Sequence, residues 1–227
     1  VSFWVGAPLT VFILVFIMNA INLIDGIDGL SAGLSLIALV GFFYCFFSES
    51  IWIYSILIAG LIGVLIPFLY YNVFGDAEKG QKIFMGDSGS LTLGYILGVL
   101  LVKFCMDNPN VMAYRKGSIF LSVTLLIIPI FDVCRVVIVR MLHGYGIFHP
   151  DKNHIHHKFM RAGLTQHQAL IAILAFAIAF IILNTVLFNW INFTVTILID
   201  IAIFTLFNLL VLNPFIKRNN KQPFQED

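Results

Sequence analysis

The stretch Asn19-Ala20-Ile21-Asn22-Leu23-Ile24-Asp25-Gly26-Ile27-Asp28-Gly29-Leu30 breaks an apolar run with two amides, two carboxylates and two glycines. An aspartate at the centre of a membrane span costs roughly 2.5 to 3.5 kcal/mol on the insertion scale, so Asp25 and Asp28 belong at a membrane surface or in a wet cavity. There they read as the floor of a reactive site. Turn dipeptides that end one span and cap the next would account for Asp25-Gly26 and Asp28-Gly29. The paired Asn and paired Asp together are more polarity than a turn requires.

A second cluster reads Phe84-Met85-Gly86-Asp87-Ser88-Gly89-Ser90-Leu91 and runs straight into an apolar segment. Asp87 or Ser88 suits the N-cap of that helix, with glycines letting a ligand approach the backbone. An ordinary cap is the plain reading. Backbone amides at a helix start favour phosphate, and a carboxylate beside them suits Mg²⁺, which prefers one or two carboxylates with phosphate oxygens and water. A metal-bound phosphate fits both halves.

The third cluster is His149-Pro150-Asp151-Lys152-Asn153-His154-Ile155-His156-His157-Lys158-Phe159-Met160-Arg161-Ala162-Gly163. Pro150 can open a short helix and Gly163 can close it, and Thr165 is placed to cap the next span. His154, His157, Lys158 and Arg161 then share one face. Zinc lacks a third-ligand pattern here, and a juxtamembrane face that attracts anionic lipid is the plain alternative. Donation from imidazoles and basic groups to a diphosphate is the reading that uses the whole run.

These clusters need membrane helices to position them. The chain is 60 % hydrophobic and 11 % charged over 227 residues, too apolar for a water-soluble core. Runs of about 17 to 25 apolar residues predict seven spans, near 3–22, 30–47, 51–71, 89–106, 118–142, 168–188 and 190–212. The expected fold is therefore an all-α polytopic transmembrane bundle. Residues 1–212 form one membrane-embedded portion, with loops near 23–29, 72–88 and 143–167 and a tail at 213–227. Gly60, Gly63 and Pro67 in the third span and Gly89, Gly94 and Gly98 in the fourth predict that these two are buried in the bundle. In the fifth, Asp132 and Arg135 lie three apart and can neutralise each other, Pro129 should bend the helix, and Arg140 can snorkel or meet an anionic head group. Cys45, Cys105 and Cys134 sit in apolar runs and suggest no disulfide framework.

Loop charge sets the orientation. The three named loops and the tail carry Lys79, Lys82, Lys152, Lys158, Arg161, Lys217, Arg218 and Lys221, whereas the opposite loops carry Arg115 and Lys116. The positive-inside rule puts the first set in the cytoplasm. All three polar clusters then share that face.

The three motifs, in this order, resemble the polyprenyl-phosphate N-acetylhexosamine-1-phosphate transferases of glycosyltransferase family 4, over about Val11 to Leu170. The resemblance implies a bacterial inner-membrane enzyme that moves a sugar 1-phosphate from a UDP-N-acetylhexosamine to undecaprenyl phosphate and releases UMP. It implies Mg²⁺, or Mn²⁺ in its place, with Asn22 and Asp87 as ligands. Asp25, Asp28 and Asp87 are implied as catalytic positions, and Asn19, Arg140, His154, His156, His157 and Lys158 as substrate-binding ones. The histidine run with Pro150-Asp151-Lys152-Asn153 looks closer to the N-acetylglucosamine branch. Partners are the lipid, the nucleotide sugar and the membrane, with a homodimer allowed and no nucleic acid expected. The family also has an aspartate-rich motif with adjacent aspartates, and this chain has no Asp-Asp pair and begins with Val1. The expectation is an N-terminally truncated member. The rival readings are a non-catalytic piece that binds lipid phosphate, and a transporter using Asp132, Arg135 and Asp200.

Overall fold

The computed structural model describes residues 2–107, 114–147 and 153–219. Among these the regular elements are all helices, with no strand. The helices are α1 (Phe3–Ile24), α2 (Leu30–Ser48), α3 (Trp52–Phe74), α4 (Gly86–Cys105), α5 (Ser118–Leu125), α6 (Ile127–Leu142), α7 (Ile155–Arg161), α8 (Gln166–Leu187) and α9 (Phe193–Leu206). A π turn over Phe207–Leu212 leads from α9 into α10 (Asn213–Asn219). Six helical segments are long and apolar enough to cross a membrane, or seven if α5 and α6 count as one broken span. The protein is a multi-pass membrane protein.

The predicted span at 118–142 is not continuous. α5 stops at Leu125, Leu126 carries the break and α6 begins at Ile127. Pro129 gives the reason, because it has no N–H for the Leu125 carbonyl and its ring crowds that same carbonyl. Pro150, Asp151 and Lys152, expected to open the histidine helix, lie outside the described residues.

The helices fall into two compact units, Val1–Ile130 and Phe131–Asp227. In the first unit, α1 and α4 cross closely. A Cβ placed on Gly94 would lie 2.7 Å from the Met18 Cα, and one on Gly98 3.1 Å from the Leu14 side chain. Glycines one turn apart thus let two backbones meet, and one turn further along each helix stand Asn22 and Ser90. α2 is the most enclosed span: Ser31, Ala32, Gly33, Ser35 and Ala38 are buried, as are Phe42 and Phe46, whose rings meet Phe104 of α4 edge-on at 6.4 and 5.4 Å. The expectation that α3 would be buried does not hold. Gly60 and Gly63 have nothing within 4 Å of an added Cβ, and α3 buries Ser55, Ile58, Leu65 and Asn72. The small residues of α3 face away from the bundle, and small residues of α2 make the close packing instead.

In the second unit Thr165 caps α8 through a reciprocal box with Gln168, as its position before the apolar run predicts. Phe131, Phe176, Phe180, Phe204 and Phe207 form one aromatic cluster, which Phe159 of α7 joins through Phe207 at 5.9 Å. Ile155 and Phe159 are buried, so α7 is anchored by its apolar side. Asp200 of α9, for which the sequence offers no nearby partner, accepts from Asn184 Nδ2 of α8 at 2.9 Å, and both side chains are fully buried.

The α1–α4 crossing yields a test. Gly94→Ala forces backbone apart and should destabilise by about 1 to 3 kcal/mol, whereas Gly60→Ala should be neutral within about 0.5 kcal/mol. Thermal unfolding of the two variants in detergent checks the ranking.

Candidate active site

Three loop ends meet in the first unit. Asn22, in the last turn of α1, donates through Nδ2 to Asp87 Oδ1 at 3.2 Å and to Ser90 Oγ at 2.9 Å, both in the first turns of α4. Sixty-five residues separate Asn22 from Asp87 in the chain. The helix begins two residues earlier than a cap at Asp87 requires: Gly86, at φ +64°, opens α4, and Asp87 sits inside the first turn. A carboxylate there faces the positive end of the helix.

Asp25 follows α1 and is half-buried. Its carboxyl is pushed up to about 6, first by burial and then by the negative charges of Asp87 and Asp28. Asp28 pairs with Lys82 at 2.7 Å. Asp87 itself is exposed. Three acids near enough to repel, with one amide between two of them, form a donor set that a divalent cation would relieve. The sparse protein contribution suits Mg²⁺, which keeps water and substrate oxygens in its shell. Among the described residues no group of three or more His, Cys, Asp or Glu converges as a closed cage. The groups that would hold such an ion are Asp87 and the amide oxygen of Asn22, with Asp25 beside them. Asn19 is one turn back and exposed, and its Nδ2 donates to Val15 O at 2.8 Å.

The second unit builds a different cluster around Asp132. This residue is 1 % exposed. Its Oδ1 accepts from Arg135 Nη2 at 2.7 Å and from the Ile155 N–H at 2.9 Å, and its Oδ2 lies 2.8 Å from His154 Nδ1. Arg135 also donates to the Asn153 carbonyl. Asp132 thereby fixes the start of α7 and sets the His154 tautomer, with the proton on Nδ1.

The histidine run does not act as one cationic stripe. His154 is buried against Asp132. His156 is 2 % exposed, its ring stacks parallel to His154 at 6.1 Å, and neither ring nitrogen has a hydrogen-bond partner among the described residues. Burial, assisted by His157, pushes its pKa down to about 4, so at neutral pH it is an uncharged imidazole. His157 lies 4.2 Å from it, centroid to centroid. Lys158 is half-buried, and burial with the neighbouring Arg135 and Arg161 pushes its ammonium down to about 8, against an opposing pull from Asp132. Its Nζ donates to Asn208 at 3.2 Å and Asn213 at 3.4 Å. These amides are five residues apart, a spacing that an α-helix turns away by about 140° but a π turn draws toward one face. Arg140 is buried, and its Nη1 donates to Ile147 O at 2.7 Å in the loop that follows α6.

Asn72, Lys82, Ser90 and the anchoring role of Asp132 were not legible from the motifs. For Asp132 the signal was its spacing from Arg135. For Asn72 it was only an amide near the end of an apolar span.

The fold and the polar clusters define a multi-pass membrane helix bundle with acids gathered at loop ends and an imidazole-rich helix. Residues 1–105 match the model of glycosyl transferase family 4. The chain is 40 % identical over 170 residues to a protein of Bacillus subtilis (strain 168) named probable undecaprenyl-phosphate N-acetylglucosaminyl 1-phosphate transferase, covering 75 % of this chain and 45 % of that one. It is 32 % identical over 173 residues to the undecaprenyl-phosphate alpha-N-acetylglucosaminyl 1-phosphate transferase of Escherichia coli (strain K12), covering 74 % and 44 %, and 30 % identical over 168 residues to the protein of that name from Yersinia pestis. The chain thus spans less than half the length of these relatives.

The neutral state of His156 has a measurable sign. Its folded pKa lies below the usual 6.5, so the unfolded chain takes up a proton that the folded one refuses. The stability this group contributes is present above pH 6.5 and is lost as the pH falls toward 4, by up to about 3 kcal/mol. Thermal midpoints in detergent between pH 4 and 7.5 should fall on acidification, and His156→Phe should flatten that slope.

Proposed function

We propose that this chain is part of a Mg²⁺-dependent enzyme that transfers N-acetylglucosamine 1-phosphate from UDP-N-acetylglucosamine to undecaprenyl phosphate, releasing UMP, at the cytoplasmic face of a bacterial inner membrane. The observation that carries this reading is the Asn22–Asp87 hydrogen bond of 3.2 Å, which joins the first two polar motifs into one donor set. The printed names of the relatives support the lipid acceptor and the sugar. Lysine and arginine bias among the loops supports the orientation.

In the reaction an oxygen of the lipid phosphate bonds to the β-phosphorus of the donor. The bond from that phosphorus to the bridging oxygen breaks, and the oxygen leaves with UMP. Both reactants are anions, so the protein's task is to neutralise and align them. A divalent ion held at Asp87 and Asn22 would supply Lewis-acid charge to phosphate oxygens. Asp25 and Asp28 shape the pocket for it, and Lys82 holds Asp28 in place. On α7, His157, Lys158 and Arg161 offer donors to phosphate oxygens, while His154 keeps the orientation that Asp132 gives it. Neutral His156 contributes shape and stacking rather than charge.

The test is UMP release by the full-length gene product with undecaprenyl phosphate, UDP-N-acetylglucosamine and Mg²⁺. Turnover should require the metal, and Asp87→Ala should lower it by roughly 100-fold or more with an unchanged thermal midpoint. Binding of lipid phosphate without UMP release from any UDP-N-acetylhexosamine would point to a non-catalytic lipid-phosphate binder.

A further inference from the structure

We infer that Asn72 is the positioning residue that clamps the two acidic loops of the first unit together. Its side chain lies near the end of α3 and is 4 % exposed. Its Oδ1 accepts from the Gly29 N–H at 2.6 Å, directly after Asp28, and its Nδ2 donates to the Ile83 carbonyl at 2.8 Å, four residues before Asp87. One amide thus serves one loop through its acceptor and the other through its donor. No other side chain of that size offers both. Asp can only accept and Leu can do neither.

Independent contacts place the same loops together. Lys82 and Asp28 form their ion pair across them at 2.7 Å, and Ser31 Oγ of α2 reaches Met85 Sδ at 3.7 Å. The second loop folds back so tightly that a Cβ on Gly75 would lie 2.8 Å from both Gln81 O and Lys82 Cα. Gly29 donates from the left-handed region at φ +79°, a conformation that costs glycine little and turns its N–H toward α3. Asn72 touches no group assigned to the reaction. It acts through where Asp25, Asp28 and Asp87 are held, because loss of a buried partner leaves two backbone groups unpaired.

The effect on turnover rests on the proposed reaction; the clamp does not, and two readouts separate them. In hydrogen-exchange mass spectrometry of the full-length gene product, Asn72→Leu should speed deuteration of peptides covering residues 25–31 and 80–86 by about tenfold or more, leaving the α1–α4 crossing protected. Asn72→Asp keeps the bond from Gly29 and loses the one to Ile83, so its gain should be confined to 80–86, which also decides the matter if the Leu variant fails to fold. In the UMP assay, Asn72→Leu should lower kcat by about 10- to 100-fold with KM for the UDP-sugar within about threefold. Unchanged exchange in both peptides overturns the clamp, and unchanged kcat with both loops released overturns its positioning role. A wild-type protein that releases no UMP overturns the proposed reaction and leaves the clamp to be decided by exchange.

Discussion

A carboxylate removed from water and left unpaired costs several kcal/mol, and removing one partner of a buried pair costs about 3 to 5. Asp132 meets this constraint with Arg135, the His154 ring and the Ile155 N–H. None of the three is dispensable to it, and each belongs to a different local context: the same helix, the approach to α7, and the first turn of α7. The demand of one buried charge therefore sets where the histidine helix begins and how its first imidazole is turned. The same rule works with amides in the first unit. Asn22 and Asn72 each bind groups distant in sequence, so the acidic loops are placed by hydrogen bonds that the apolar helices cannot supply.

The two units carry opposite electrostatic problems. Asp25, Asp28 and Asp87 repel, with Lys82 answering only Asp28, which leaves a local excess of negative charge in a partly wet place. Around α7 the excess is positive, and burial, with Arg135 and Arg161 close by, draws Lys158 down to about 8. An excess of either sign is unstable by itself and is relieved by a partner of the other sign. A divalent ion would answer the first and a phosphate the second.

Local spacing carried much of this into the sequence. The apolar runs gave the helices within a few residues, Thr165 marked its helix start, and the Asp132–Arg135 pair could be named from a three-residue interval. The acid and amide motifs were visible because such groups are expensive in a membrane protein. What stayed hidden depends on partners far along the chain or on which face a helix turns inward. The glycines of α3 read as packing residues, yet Gly60 and Gly63 meet nothing, while Gly94 and Gly98 of α4 meet the backbone of α1. Asn72 read as the first residue of a loop and Asp200 as a lone polar group in an apolar span, and their partners lie 11 to 43 and 16 residues away. In sequence His156 is one more imidazole of the run. Its enclosure, which makes it neutral, comes from tertiary packing.

The π turn at Phe207–Leu212 also sets the azimuth of everything after it. It accommodates about one residue more per turn than an α-helix does, so winding the same six residues as a regular α-helix would rotate α10 by about 100°. Asn213 would swing off the face that meets Lys158, although no contacting side chain had been altered. Lys158 is thereby held between two amides only while this segment keeps its π turn, in a stretch whose composition, Phe-Asn-Leu-Leu-Val-Leu, otherwise looks free to wind as an ordinary helix.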